Sequence, residues 1–241
     1  MGEIADFGVP ASIAAAWGVQ DRPGYGPRPG LSLERIVDTA VRVAAAEGLA
    51  AVSMVRLGKE LGTSAMALYR YVAAKDELLD LMLDRGLGPP PDGAGATGWR
   101  AGLQEWAQAL LAAMLANPWT LQVPAGAPPI TPNQIRWLER CLAALAGTGL
   151  AEPEKLSIVL LLSGYVRSFA STAAAAMHPG DRKPVDYGRA LARLTDPERF
   201  PAITAAIAAG AIDDDADYDA AAEFAFGLDR VLDGIAALLD R

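Results

Sequence analysis

One cysteine and one histidine among 241 residues leave little material for metal or redox chemistry. A lone Cys141 cannot build an internal disulfide framework, and it is compatible with a reducing compartment. With His178 as the single imidazole, the usual zinc ligand sets cannot be assembled, and neither a metal nor another cofactor is expected. The chain contains no GxSxG, P-loop or HExxH pattern, so no enzyme class is indicated and a non-catalytic protein is expected. Long apolar runs are scarce too. The best candidate, Leu156 to Val166, is flanked by Lys155 and Arg167 and falls well short of the roughly 20 residues a membrane span needs. Glu3 and Asp6 stand where a secretory signal would be basic. The expectation is a cytoplasmic protein with no membrane partner. Aromatic and β-branched residues are sparse beside alanine, a balance that favours helix over strand.

What is present repeats at helical spacing. Residues 1–30 carry Pro10, Pro23, Pro27 and Pro29 with several glycines, and read as an extended or mobile arm. Ser32 caps a helix whose apolar positions Leu33, Ile36, Val37, Ala40, Val43 and Ala44 share a face, and Gly48 ends it. Ser53 opens a second helix that stops at Gly62. Thr63 or Ser64 opens a short third one to about Val72, and a fourth runs from Lys75 to Leu87. The breaker cluster Gly88 to Gly98 marks a domain joint. Beyond it, Trp99, Leu103, Trp106, Leu110 and Met114 form one stripe. Further helices are expected over Gln134 to Ala146, Glu154 to Met177 and about Asp217 to Leu239, with another starting at Asp196-Pro197. The acidic run Asp213, Asp214, Asp215, Asp217 and Asp219 lacks the glycine and terminal Glu of a calcium loop. It reads as a solvated loop that caps the last helix. No strand alternation is convincing, so the fold class is all-α.

The stretch Val52 to Val72 has the makings of a helix-turn-helix. Gly58 suits a close helix crossing, Gly62 a left-handed turn, and Leu57, Leu61, Leu68 and Val72 an internal seam. That arrangement would project the third helix as a recognition helix for the DNA major groove. Two short helices meeting at a glycine inside a core would share the same spacing. Charge leaves the choice open: the chain carries −8 overall, yet Arg56, Lys59, Arg70 and Lys75 face only Glu60 between Ser53 and Lys75.

Residues 31–87 resemble the N-terminal domain of the TetR (tetracycline repressor) family of bacterial transcription regulators. The resemblance lies in LSLERIVDTAVRVAAAEGL and ALYRYVAAKDELLDLM. The stretches ANPWTLQV, IRWLERCLAAL and GLDRVLDGIAALL are similar, more loosely, to the tetracycline-repressor C-terminal domain. The resemblance implies a helix-turn-helix domain over 31–87, with its motif at about 53–72, followed by a ligand-binding and dimerisation domain over 98–241. It implies that Tyr69 and Lys75 contact phosphates, that Ser53 and Ser64 offer helix-start donors, and that Thr63, Ala65, Met66 and Ala67 face base edges. Val55 stands where the tetracycline repressor has a base-reading Arg, with Arg56 adjacent. The reading face is therefore poor in hydrogen-bonding groups and suited to thymine methyls, phosphate positioning and DNA shape. Arg22 and Arg28 read equally as a minor-groove arm or as solvated charges.

The helix from Leu156 to Ala176 is apolar nearly all round its first turns and the last helix has a wide apolar stripe, so both need cover. Two from each chain would form an intermolecular four-helix bundle, as the resemblance also implies, and a monomeric core is the competing reading. A homodimer would meet a palindromic operator in double-stranded DNA. Trp99, Trp106, Met114, Trp119, Trp137, Cys141, Phe169 and His178 suggest a cavity for a small hydrophobic effector, although each singly also suits core packing. Histidines of the family's tetracycline–magnesium site are mostly missing, so tetracycline is not the expected effector. The expected function is a ligand-responsive regulator, a repressor released from its operator. The alternative is a helical sensor or interaction protein that does not bind DNA.

Overall fold

Every element found in the computed structural model is helical among the residues it describes, which are 8–19, 31–92, 97–124, 128–177, 185–212 and 219–240. His178, Arg22, Arg28 and Asp213 to Asp217 lie outside them. The elements are α1 (Ala11–Ala16), α2 (Leu33–Glu47), α3 (Met54–Glu60), α4 (Ala65–Leu68), α5 (Lys75–Leu87), α6 (Trp99–Ala116), α7 (Pro132–Ala144), α8 (Glu152–Met177), α9 (Tyr187–Leu194), α10 (Pro201–Ala208) and α11 (Ala220–Leu239). Short 3-10 turns occupy Leu49–Ala51 and Pro118–Gln122.

Side-chain caps set several helix starts. Ser32, Ser53 and Ser64 accept from the backbone N–H of Arg35, Arg56 and Ala67. Asp219 accepts from Ala221 and Ala222 at the start of α11, as expected of the acidic run. Each cap satisfies a donor the helix itself leaves free.

Two cores follow the chain order. The first gathers Ile36, Val37, Ala40 and Val43 of α2, Leu57 of α3, Leu68 of α4, and Leu78, Leu81 and Met82 of α5. The second gathers Leu103, Trp106 and Leu110 of α6, Trp137 and Cys141 of α7, Leu162 and Val166 of α8, and Phe224, Leu228 and Leu232 of α11. By length and composition α8 is apolar enough to cross a membrane, with mean hydropathy 1.4 in its best window. Its Ile158, Leu162, Val166 and Ala170 line is nevertheless buried against the second core.

Four sequence expectations change. The short helix that follows Ser64, expected to reach about Val72, ends at Leu68, with a turn over 69–71. Part of the arm is not irregular: residues Ala11–Ala16 form α1, with Ile13 buried in the first core and the Ser12 hydroxyl donating to Glu77. Prolines at 10 and 23 obscured a six-residue helix stabilised by docking, since so short a helix has little stability alone. Asp196-Pro197 begins no helix; it forms a turn, and α10 starts at Pro201 instead. Finally, Trp119 belongs to the first core and not to the sensor core.

Candidate nucleic-acid interface and sensor core

Close packing at one glycine sets the crossing of α3 and α4. A Cβ on Gly58 would lie 2.8 Å from the Thr63 carbonyl oxygen and 3.2 Å from the Ala65 nitrogen. Gly62 then turns the chain with φ of +64°, in the left-handed region that glycine enters without steric cost. Leu57, Leu68 and Val72 are fully buried beneath the crossing, each stabilising it by about 1.5–3 kcal/mol.

The expected DNA-contacting residues differ in how far they reach the surface. Met66 is 75% exposed and Tyr69 46%, with Arg70, Lys75, Ser53 and Ser64 also on the surface. Thr63 and Ala67 are half-buried. Ala65 packs against the first core at the crossing, because the first residue of so short a helix stands closest to Gly58. Arg56 is drawn sideways by two carboxylates: its guanidinium donates to Glu47 at 2.7 and 3.2 Å and to Glu60 at 2.9 Å. Lys59, Arg70 and Lys75 form no ion pair among the described residues, so they are the cations with charge to offer a phosphate. Ser53 and Ser64 accept as caps, which leaves their hydroxyl protons free to donate. Val55 of α3 is also exposed, at 62%.

Lys75 stands at the start of α5, whose N-cap Ala74 contributes no side-chain bond. Glu77 partly compensates by accepting from the Ala73 N–H, while Ser12 of α1 donates to the same carboxylate oxygen. Crowding by burial, Asp76 and Glu77 pushes the Asp80 carboxyl above its ordinary range.

At its other end α5 grips the second half of the chain. Asp84 accepts from the backbone N–H of Asn133 at 2.6 Å and of Gln134 at 3.1 Å, capping α7 where Thr131 makes no such bond. Asn117 donates to the Gly86 carbonyl, and Trp137 to that of Gly88. Arg167 of α8 donates to the carbonyls of Leu121 and Val123. The roles of Asp84, Asn133 and Arg167 are not legible in the sequence, because a polar residue within an apolar stripe carries no mark of a partner 44 or more positions away.

The expected effector residues are dispersed. Trp106, Met114, Trp137 and Cys141 are buried in the second core, and Trp99 packs half-buried on it. Trp106 and Trp137 meet edge to face with centroids 6.2 Å apart, and the Trp106 indole donates to the Trp137 carbonyl. Phe169 stands edge-on to Phe224 beside Tyr165, against α11. Trp119 lines a different hollow, between α2 and α8. Burial pushes the Cys141 thiol up to about 12. The folded protein should therefore resist a thiol reagent at pH 8 and react stoichiometrically once unfolded. Rapid labelling of the native state would show that the second core opens.

The comparisons with known proteins agree with this geometry. The family described as "Bacterial regulatory proteins, tetR family" matches residues 36–82, and "Tetracyclin repressor-like, C-terminal domain" matches residues 90–239. The HTH-type transcriptional repressor DrrR1 of Streptomyces coeruleorubidus is 37% identical over 95% of this chain and 86% of its own. Apo ActR from Streptomyces coelicolor superimposes with a TM-score of 0.74 at 28% identity, over 89% of this chain and 99% of that one. ActR in complex with actinorhodin gives 0.74 at 28% identity, over 88% and 99%. A glycine-locked helix crossing, an outward α4 and a helical domain behind them thus occur together in a chain matched along nearly its whole length, and the protein belongs to the TetR family of bacterial transcriptional regulators.

Proposed function

We propose that the protein is a cytoplasmic, non-catalytic, homodimeric repressor that binds a palindromic operator and leaves it when an apolar small molecule binds the α6–α11 domain. The observation that carries this reading is the outward α4, with Met66 and Tyr69 exposed while Gly58 and Leu68 lock its base. The exposed Val55 and Met66, with half-buried Ala67, suit thymine methyls, and the exposed Tyr69, Lys75, Ser53 and Ser64 serve as phosphate donors. Residues 31–87 serve as the DNA-binding domain and 98–241 as the sensor and dimer domain.

Dimerisation is supported by the faces left bare on α8 and α11. Leu156, Leu160, Leu161 and Phe226 are all more than half exposed. Gly164 and Gly234 open onto empty space, which allows helices of a second copy to approach closely. Pairing these faces removes the apolar surface from water and sets two α4 helices on one duplex. A similar protein, ActR of Streptomyces coelicolor, has been solved in complex with actinorhodin. An effector acts here by favouring one spacing of the two α4 helices, transmitted through α5 and its Asp84 grip on α7.

The test is fluorescence anisotropy with duplex DNA taken from upstream of the protein's own gene, titrated with salt. Specific binding should weaken steeply as salt rises, through counterion release. Lys75→Ala should weaken binding about tenfold and flatten the slope of log K against log salt by about one for each head. Tyr69→Phe should weaken it less. An unchanged slope in Lys75→Ala would remove that residue from the phosphate contacts, and salt-insensitive binding by the parent protein would favour a sensor that does not act on DNA.

A further inference from the structure

The short helix α1 carries more anchors than its packing requires. Ser12, Ile13 and Ala14 are consecutive and almost wholly buried, at 3%, 1% and 2% exposed. Ile13 fills a place in the first core, and that alone would account for a docked helix. It does not account for the polar bonds at the two ends of α1. At one end the Ser12 hydroxyl donates to Oε2 of Glu77 at 2.6 Å. At the other, just past the last turn, the Trp17 indole N–H donates to the Ile130 carbonyl at 2.8 Å. Glu77 lies in the first turn of α5, and Ile130 directly precedes Thr131, the N-cap residue of α7. One short helix thus touches both the element that carries Lys75 and the loop that leads into α7.

The bond to Glu77 bears on where Lys75 stands. Ala74, the N-cap of α5, has no side-chain oxygen, so its own cap does not fix the entry to the helix. Glu77 fixes it from within, because its Oε2 accepts from the Ala73 N–H at 3.2 Å. The same oxygen receives the Ser12 hydroxyl, which holds the carboxylate in the rotamer that reaches back to Ala73. Without that second donor, hydration competes with a single bond to an exposed amide, and the carboxylate turns outward. Residues 73 and 74 then lose their tether, and Lys75 follows them.

We propose that α1 is a clasp, and that Ser12 and Glu77 are positioning residues for the Lys75 phosphate contact, so that operator affinity depends on a helix outside the DNA interface. The effect on DNA rests on the function proposed above, whereas the clasp in the free protein does not. Trp17 ties the far end of α1 to the loop before α7, whose start Asp84 of α5 also holds. The start of α5 is thereby referred to the sensor half by two routes, one along α5 and one along α1. Charge alone predicts the opposite outcome at Glu77. Removing a carboxylate near a phosphate should tighten DNA binding.

Anisotropy at 10 °C, with duplex DNA from upstream of the protein's own gene, separates the two accounts. Ser12→Ala and Glu77→Ala should each weaken binding about fivefold, within the loss assigned to Lys75→Ala. In a Lys75→Ala background Ser12→Ala should weaken it no further, because the contact it positions is gone. Glu77→Gln, the conservative replacement, keeps an acceptor for both donors and should restore what Glu77→Ala loses. Hydrogen exchange of the full-length protein without DNA reads the clasp by itself. Exchange at the Ala73 amide should be about fivefold faster in Ser12→Ala. Tighter binding by Glu77→Ala, a Ser12→Ala loss that persists beside Lys75→Ala, or an Ala73 amide unchanged in Ser12→Ala would each overturn the proposal. A parent protein that binds no operator would instead refute the repressor reading, and the exchange result would still decide whether α1 clasps α5.

Discussion

Gly58→Leu should abolish operator binding and destabilise the first core by about 1–3 kcal/mol or more, the range for forcing bulk into a packed site. Even the first carbon of the new side chain would stand 2.8 Å from the Thr63 carbonyl oxygen and 3.2 Å from the Ala65 nitrogen. Both atoms are backbone, so nothing flexible can swing aside. Relief requires α4 to tilt away from α3, and that tilt re-aims Met66 and Tyr69. A side chain on Gly62, by contrast, meets open space and incurs only the left-handed backbone penalty at φ of +64°. Gly62→Ala should therefore cost about 1–2 kcal/mol and keep operator binding below its melting temperature. Thermal unfolding separates the two effects, and anisotropy at 10 °C reads binding. Normal DNA affinity in Gly58→Leu would mean that α4 is not held at the required angle by this contact.

If the proposed homodimer pairs through α8 and α11, the double change Leu160→Asp with Phe226→Asp should convert it to a monomer and reduce operator affinity about 10²–10⁴-fold. The second figure follows from losing the intramolecular capture of one half-site once the other is bound. Both side chains are well exposed in the single chain, at 76% and 59%, so neither replacement creates a cavity or buries a charge within one protomer. In a paired α8–α11 bundle each would place a carboxylate in an apolar interface, where its desolvation finds no partner. Sedimentation velocity reads the mass directly, and far-ultraviolet circular dichroism checks that the helices persist. A dimer that survives both carboxylates would place the interface elsewhere and remove the argument from the bare faces.

Much of the DNA-binding half was legible from neighbouring residues. Ser32, Ser53 and Ser64 each cap the helix they precede, Gly62 takes the turn, and Leu57, Leu68 and Val72 form the seam, because each of these roles is decided within a few residues. The sensor half was legible as helices and less so as a site. Trp106 and Trp137 pair with each other, and Trp119 leaves for the other core. An aromatic residue announces that it will be buried, and not against what. Arg56 illustrates the same limit for charge. Its count in the sequence made the motif more basic, yet Glu47 and Glu60 largely neutralise it.

The order of amino acids alone determined an all-helical chain, a break at Gly88 to Gly98 and a glycine-hinged pair of helices with an apolar outer face. Those properties arise from backbone conformation and from periodicity along a single helix. Tertiary structure alone decided that α1 docks on α5, that Asp84 caps a helix 49 residues further on, and that Trp119 belongs to the first core. Such contacts depend on which surfaces three-dimensional packing brings within a few ångströms, and no local pattern encodes that distance.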